Sequence, residues 1–211
     1  METNIVEMET KEPTEQELFI TLVKSIKREG MNTELLLKQL EKSDFFTAPA
    51  STKYSGACEG GLCSHSLRVY NNLVNLNETF ECGFEDDTMK IVALFHDFSK
   101  MNFYTKAVRN KKVYSDKGSK VDEMGRFDWV SVMGYEVRPD TERFVYGSHE
   151  ENSVFMISSF IPLTIEEQVA ILHHHAGQGW DSAQDNVFEA FKHYPLAFYL
   201  HTADMMDIIN E

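Results

Sequence analysis

Apolar residues recur at helical spacing over most of this chain. Between residues 14 and 42 they fall at Leu18, Leu22 and Ile26 and again at Leu35, Leu36 and Leu40, with Gly30 separating two predicted helices. Residues 45–61 hold Pro49, Gly56, Gly60 and Gly61 and predict a loop. A helix is predicted over residues 62–76, with Leu67, Tyr70, Leu73 and Val74 on its apolar face. Asp86 and Asp87 lead into residues 88–98, which are nearly all apolar up to His96, the pattern of a buried helix. Helical spacing returns over 149–160. After Pro162, Thr164 and Glu167 form a capping box that opens a helix over 165–175. Residues 177–185 predict a polar loop, and 187–209 a last helical block broken near Pro195.

One stretch departs from this period. Residues 101–146 carry short alternating runs, Lys112-Val113-Tyr114, Trp129-Val130-Ser131-Val132 and Tyr135-Glu136-Val137, set between Gly118, Gly125, Gly134 and Pro139. That predicts a β-hairpin or a partly irregular insertion. The expected fold class is therefore all-α: a helical bundle with a small β or irregular insertion at about 101–146. Residues 1–16, acidic and without an apolar signal core, are expected to form a flexible leader, and 17–211 a single domain.

Composition narrows the function classes. The chain has 211 residues, 42% of them hydrophobic, and a net charge of −14. Sequence-independent attraction to nucleic-acid phosphate is not expected at that charge, although Lys100, Lys106, Arg109, Lys111, Lys112, Lys117 and Lys120 crowd into one stretch. Cys58, Cys63 and Cys82 form no CxxC pair, so a reducing, cytoplasmic location is expected. No run of 18 apolar residues predicts a membrane span.

The chemistry lies in the histidines and two aspartates: His65, then His96-Asp97, His149, the run His173-His174-His175, and Asp204. Taken singly, each has a mundane explanation, such as a hydrogen-bonded core imidazole or a solvated helix end. Taken together they suggest a metal site, because Asp97 and Asp204 both sit in apolar stretches, where a carboxylate needs a cation. His201 and Asp204, three apart, share one helix face. Removing Asp97 is expected to relieve an uncompensated buried charge in the metal-free protein.

Four local strings carry a resemblance. Gly60-Gly61-Leu62-Cys63-Ser64-His65-Ser66-Leu67-Arg68-Val69, Leu94-Phe95-His96-Asp97-Phe98-Ser99-Lys100, Gly147-Ser148-His149-Glu150-Glu151-Asn152-Ser153 and Ala203-Asp204 occur in that order. The order H…HD…H…H…D resembles that of the HD-domain metal-dependent phosphohydrolase superfamily, over roughly residues 45–210. It is similar to small HD proteins of bacteria and phages and to the HD module of bacterial 3′→5′ exoribonucleases.

The resemblance implies one or two divalent ions (Mn, Zn, Fe, Ni or Co). His65, His96, Asp97 and Asp204 would hold the first, His149 and His174 a second, and Asp97 would bridge them. His174 fits best counting from Ala170-Ile171, with His173 and His175 as alternatives. Asp97 and Lys100 are the implied catalytic residues, and Arg68, Lys100 and His201 the substrate-binding ones. The implied reaction is hydrolysis of a phosphate ester or phosphodiester of a small nucleotide by metal-activated water. The alternatives are a 3′→5′ exonuclease on single-stranded nucleic acid, a regulatory protein that binds metal or nucleotide without turnover, and a di-iron oxygenase. Oligomeric state is left open by the sequence.

Overall fold

Thr14 accepts from the backbone of Glu17, and Glu17 reaches back to Thr14, so helix α1 (Glu15–Ser25) starts on a complete capping box. The computed structural model describes residues 12–53, 55–176 and 184–209. Residues 1–11 of the expected leader and 177–183 of the expected polar loop lie outside them. Helix α1 already sends Phe19 and Val23 into the core. Helix α2 (Thr33–Lys42) follows after Gly30, which adopts a positive φ that favours glycine.

Helix α3 (Gly61–Thr79) and helix α4 (Asp86–Phe95) pack against each other, and α3 also packs along the last helix, α8 (Pro195–Ile209). Met89–Phe95 are buried without interruption, Lys90 by pairing with Asp86 and the rest as apolar side chains, so α4 forms the centre of the fold. Phe19, Phe45, Phe95 and Phe98 meet there edge-on or tilted, with ring centroids 4.9–6.3 Å apart. Helix α5 (His149–Ile157) and helix α6 (Ile165–Leu172) begin on the capping boxes Ser148–Glu151 and Thr164–Glu167. Helix α7 (Gln184–His193) ends before Pro195, which starts α8 at the position where a missing N–H costs nothing. Among the described residues no helix is long and apolar enough to cross a membrane.

The all-α expectation is overturned. Of the described residues 51% are helical, and they include a three-stranded antiparallel sheet, so the class is mixed. Strands β1 (Tyr104–Tyr114) and β3 (Gly125–Val137) pair continuously from Tyr104 opposite Val137 to Tyr114 opposite Phe127. The short β2 (Lys120–Asp122) adds to the far end of β3. The alternating runs were visible in sequence, but their extent was not. Most of the ribbon stands in solvent, so apolar side chains mark neither its length nor its register. It is held by its own ladder, and Phe127 is buried at its tip beneath Gly118.

Candidate metal centre

Each histidine of interest is positioned by a local feature. His65 lies in the second turn of α3. The start of that helix is fixed by close packing: a Cβ on Gly61 would lie 2.0 Å from the carbonyl oxygen of Gly56, so only glycine fits. His96 is the residue on which α4 ends, and its Nδ1 donates to the carbonyl of Ala93 at 2.8 Å. His149 opens α5. The helix expected to run to residue 175 stops at Leu172, so His174 and His175 stand in a turn. His174 Nδ1 takes the carbonyl of Ile171 at 2.6 Å, and His201 Nδ1 takes that of His174 at 2.7 Å. These bonds satisfy carbonyls that a helix end leaves without partners.

One pattern runs through five imidazoles. His65 Nδ1 donates to Asp207 at 2.7 Å, and the Nδ1 atoms of His96 and His174 donate to backbone carbonyls. His149 Nδ1 and His175 Nδ1 face the two oxygens of Glu150 at 3.2 and 3.4 Å. A carbonyl or carboxylate only accepts, so each Nδ1 carries hydrogen and each Nε2 is aimed at the centre. Outer oxygens fix metal-binding histidines in this way.

The two oxygens of Asp97 divide the centre. Oδ2 lies 3.6 Å from His65 Nε2 and 3.5 Å from His96 Nε2, while Oδ1 lies 3.7 Å from His149 Nε2 and 3.5 Å from His174 Nε2. Asp204 Oδ1 is 3.1 Å from His65 Nε2 and 3.8 Å from His96 Nε2, and its Oδ2 is 3.2 Å from His175 Nε2. Ligands at about 2.0–2.2 Å from one ion stand roughly 3–3.6 Å from each other, so these separations suit a shared cation. The ligand atoms fall into three overlapping groups, each within 4.8 Å: His65, His96 and Asp204; His96, Asp97 and His174; His149, Glu150, His174 and His175.

The centre fits a cation for a second reason. Asp97 Oδ1, His149 Nε2, His174 Nε2 and both carboxylate oxygens of Asp204 are buried without a hydrogen bond. Glu167 shows what a satisfied buried carboxylate looks like in the same protein: it accepts from Arg28 twice, from Thr88 and from the backbone of Thr164. A buried ion left unpaired costs several kcal/mol, and a metal removes that cost.

Charge within the centre is polarised. Burial opposes the ionisation of Asp97, but Lys100, His96 and His174 outweigh it and hold the carboxyl well below its usual range. Asp204 is held low in the same way by His175 and His65. Burial together with like-charged neighbours pushes His96 down to about 3 and His149 to about 4, against the pull of Asp97. His65 and His175 are opposed by burial but pushed up to about 9: Asp204 acts on both, joined by Asp207 at His65 and by Glu150 at His175. Glu150 is brought down to about 2, its burial outweighed by His175 and His149.

The structure brings together His65, His96, Asp97, His149, His174 and Asp204, and it adds His175. His173 stays outside all three groups. Lys100 is at the centre, but its Nζ is 2.6 Å from Asp97 Oδ2, so the ammonium is engaged by an acid. Arg68 stands behind His65, donating to both oxygens of Asp207 and to Ser64, and His201 supports the turn of His174. Arg68 thus supports His65 through Asp207, and His201 supports the turn that carries His174. Asp207 and Glu150 received no role from the sequence. Asp207 did carry a signal, an acid one turn beyond Asp204 in an otherwise apolar helix.

A cavity of about 310 Å³ is lined by His65, Lys100, His175 and Asp204 of the centre together with Ala50, Ser51, Ser55 and Ile208. Alanine at His174 or at His175 is expected to lower metal content, and alanine at His173 to leave it unchanged. Metal counting by mass spectrometry on the three variants checks this, and a loss at His173 alone would contradict the geometry.

Comparison with protein-family models, with curated proteins and with solved structures yields no match to this chain.

Proposed function

We infer that this protein is a metal-dependent phosphohydrolase acting on a phosphate ester or phosphodiester of a small nucleotide, as its resemblance to HD-domain enzymes implies. The observation that carries the inference is the set of five orphaned imidazole and carboxylate atoms converging beside a cavity. The donors are nitrogen and oxygen only, which suits one or two ions of Mn, Fe, Co, Ni or Zn. His65, His96, Asp97 and Asp204 would hold one ion, and Asp97, His149 and His174 a second. A divalent ion there supplies Lewis acidity, lowering the pKa of water and drawing charge from a phosphoryl oxygen.

The chain's own residues do the rest. Asp207 and Glu150 hold the outer Nδ1–H groups, so the rings cannot turn away when substrate arrives. Lys100 places a positive charge at the cavity wall, where a phosphate dianion would otherwise meet Asp97 and Asp204. The net charge of −14 disfavours a polynucleotide and favours a small ligand drawn in by local cations.

The test is a panel of nucleotides and simple phosphate esters incubated with each of the five metals and with excess chelator. Phosphate release is expected with metal and none with chelator. A protein that binds metal stoichiometrically yet hydrolyses nothing on the panel would refute the assignment.

A further inference from the structure

His149 is held differently from the other histidines of the centre. Its side chain is 28% exposed, whereas those of His65, His96 and His174 are 0–5% exposed. Packing fixes it least, so its place depends on the first turn of α5. That helix has nine residues and buries Asn152, Ser153 and Ile157, so its buried apolar anchor lies two turns beyond His149. The near end is tied down by two hydroxyls. Ser99 stands in the short turn Phe98–Lys100 that follows Asp97, and its backbone N–H donates to Ser153 Oγ at 3.1 Å. Ser153 Oγ donates to Ser99 Oγ at 3.1 Å, and Ser99 Oγ donates to the carbonyl of His149 at 2.8 Å. Both serines are buried. Each hydroxyl accepts one hydrogen and donates one, so the three bonds allow a single arrangement. Apolar side chains of this size would join the two segments without desolvating a polar group; what the hydroxyls add is a fixed register.

The segments joined in this way carry two ligands of one ion: Asp97, whose Oδ1 lies 3.7 Å from His149 Nε2, and His149 itself. We propose that Ser99 and Ser153 are positioning residues for the second ion. They set His149 against Asp97 Oδ1, and so set the affinity for the ion held by Asp97, His149 and His174. The ion held by His65, His96, Asp97 and Asp204 is left alone, because His65, His96 and Asp204 come from α3, the end of α4 and α8, which the hydrogen bonds of the serine pair do not reach. This rests on the metal centre inferred above, in its two-ion form.

The experiment titrates Co²⁺ into chelator-stripped full-length protein and follows visible absorption and metal content. The proteins are wild type, Ser99→Ala, Ser153→Ala, His149→Ala and Ile157→Val. Wild type is expected to take two ions, and the step lost in His149→Ala identifies the second. Ser99→Ala is expected to weaken that step by about tenfold, the lower end of what outer contacts to a metal ligand are worth, and to leave the other within about twofold. Ser153→Ala is expected to show the same split, which keeps the test decisive should Ser99→Ala fold poorly. Ile157→Val trims the apolar anchor of the same helix. It is expected to lower Tm and move neither step, so a merely structural loss is told apart. Phosphate release from a nucleotide is expected to fall in Ser99→Ala at limiting Co²⁺ and to return in excess. Equal weakening of both steps, no weakening of the second, a split reproduced by Ile157→Val, or a wild type that holds one ion would overturn the proposal. Hydrolysis by a one-ion wild type would leave the function standing without it. The expected split in a protein that releases no phosphate would uphold the positioning role and remove the hydrolase function.

Discussion

Asp97→Ala is expected to bind no metal and to lose hydrolysis by about a thousandfold or more, since a Lewis acid supplies several kcal/mol and each ~1.4 kcal/mol is a factor of ten. The two oxygens of Asp97 face different pairs of histidines, so one substitution there reaches both halves of the centre. The sequence suggests that removing this carboxylate relieves the metal-free protein. Lys100 reverses that expectation. Its ammonium is 2.6 Å from Asp97 Oδ2, and its side chain is only 13% exposed, so Asp97→Ala strands a buried cation. The metal-free variant is expected to be less stable by about 3 kcal/mol, the usual result of breaking one side of a buried pair. Asp97→Ala combined with Lys100→Met is expected to recover most of that loss without recovering metal. Metal counts, a hydrolysis assay and urea denaturation on the two variants separate these effects. Full metal content in Asp97→Ala would refute the assignment of the centre.

The stabilisation given by metal is expected to grow as pH rises from about 6.5 to 9. His65 and His175 have folded-state pKa values raised to about 9. Their contribution is complete below the unfolded value of about 6.5 and is lost as pH rises through 9. His96 and His149 are depressed to about 3 and 4, so their contribution is present above about 6.5 and is lost as pH falls through those values. The metal-free protein is therefore most stable near pH 6.5. Metal binding follows a different course. His65 and His175 must release protons to offer a lone pair, so affinity climbs through the interval in which the metal-free protein weakens. Bound metal stabilises in proportion to RT ln(1 + [L]/Kd), and the gap in Tm between loaded and chelated protein should widen steadily over that range. Thermal melts with and without chelator at pH 6.5, 7.5 and 9 measure it. A gap that narrows with pH would contradict the charge arrangement described here.

Much of the fold was legible because burial imposes a period. The helical spacing of Leu18, Leu22 and Ile26 announced α1, although the face it buries is that of Phe19 and Val23 and Leu18 is exposed, and Thr164 with Glu167 announced the start of α6. The apolar run before His96 announced the central helix. The main ligands were legible for a related reason: a carboxylate set in apolar sequence, as at Asp97 and Asp204, has few explanations other than a cation. Other features depend on where separate elements meet. Arg68 and Asp207 are 139 residues apart and join only because α3 and α8 pack side by side. A helical wheel allows one of the three consecutive histidines to face the centre. Two do so because α6 stops at Leu172, where the His174 ring takes the Ile171 carbonyl and His201 closes the next one. The sheet was underestimated because a solvated ribbon is set by backbone hydrogen bonds, which side-chain patterns record poorly. Sequence by itself determined which residue types gather and which helices carry them. Only the tertiary structure decided which nitrogen of each imidazole faces inward and which acids stand behind them, because hydrogen-bond direction and close packing exist only once the elements have docked.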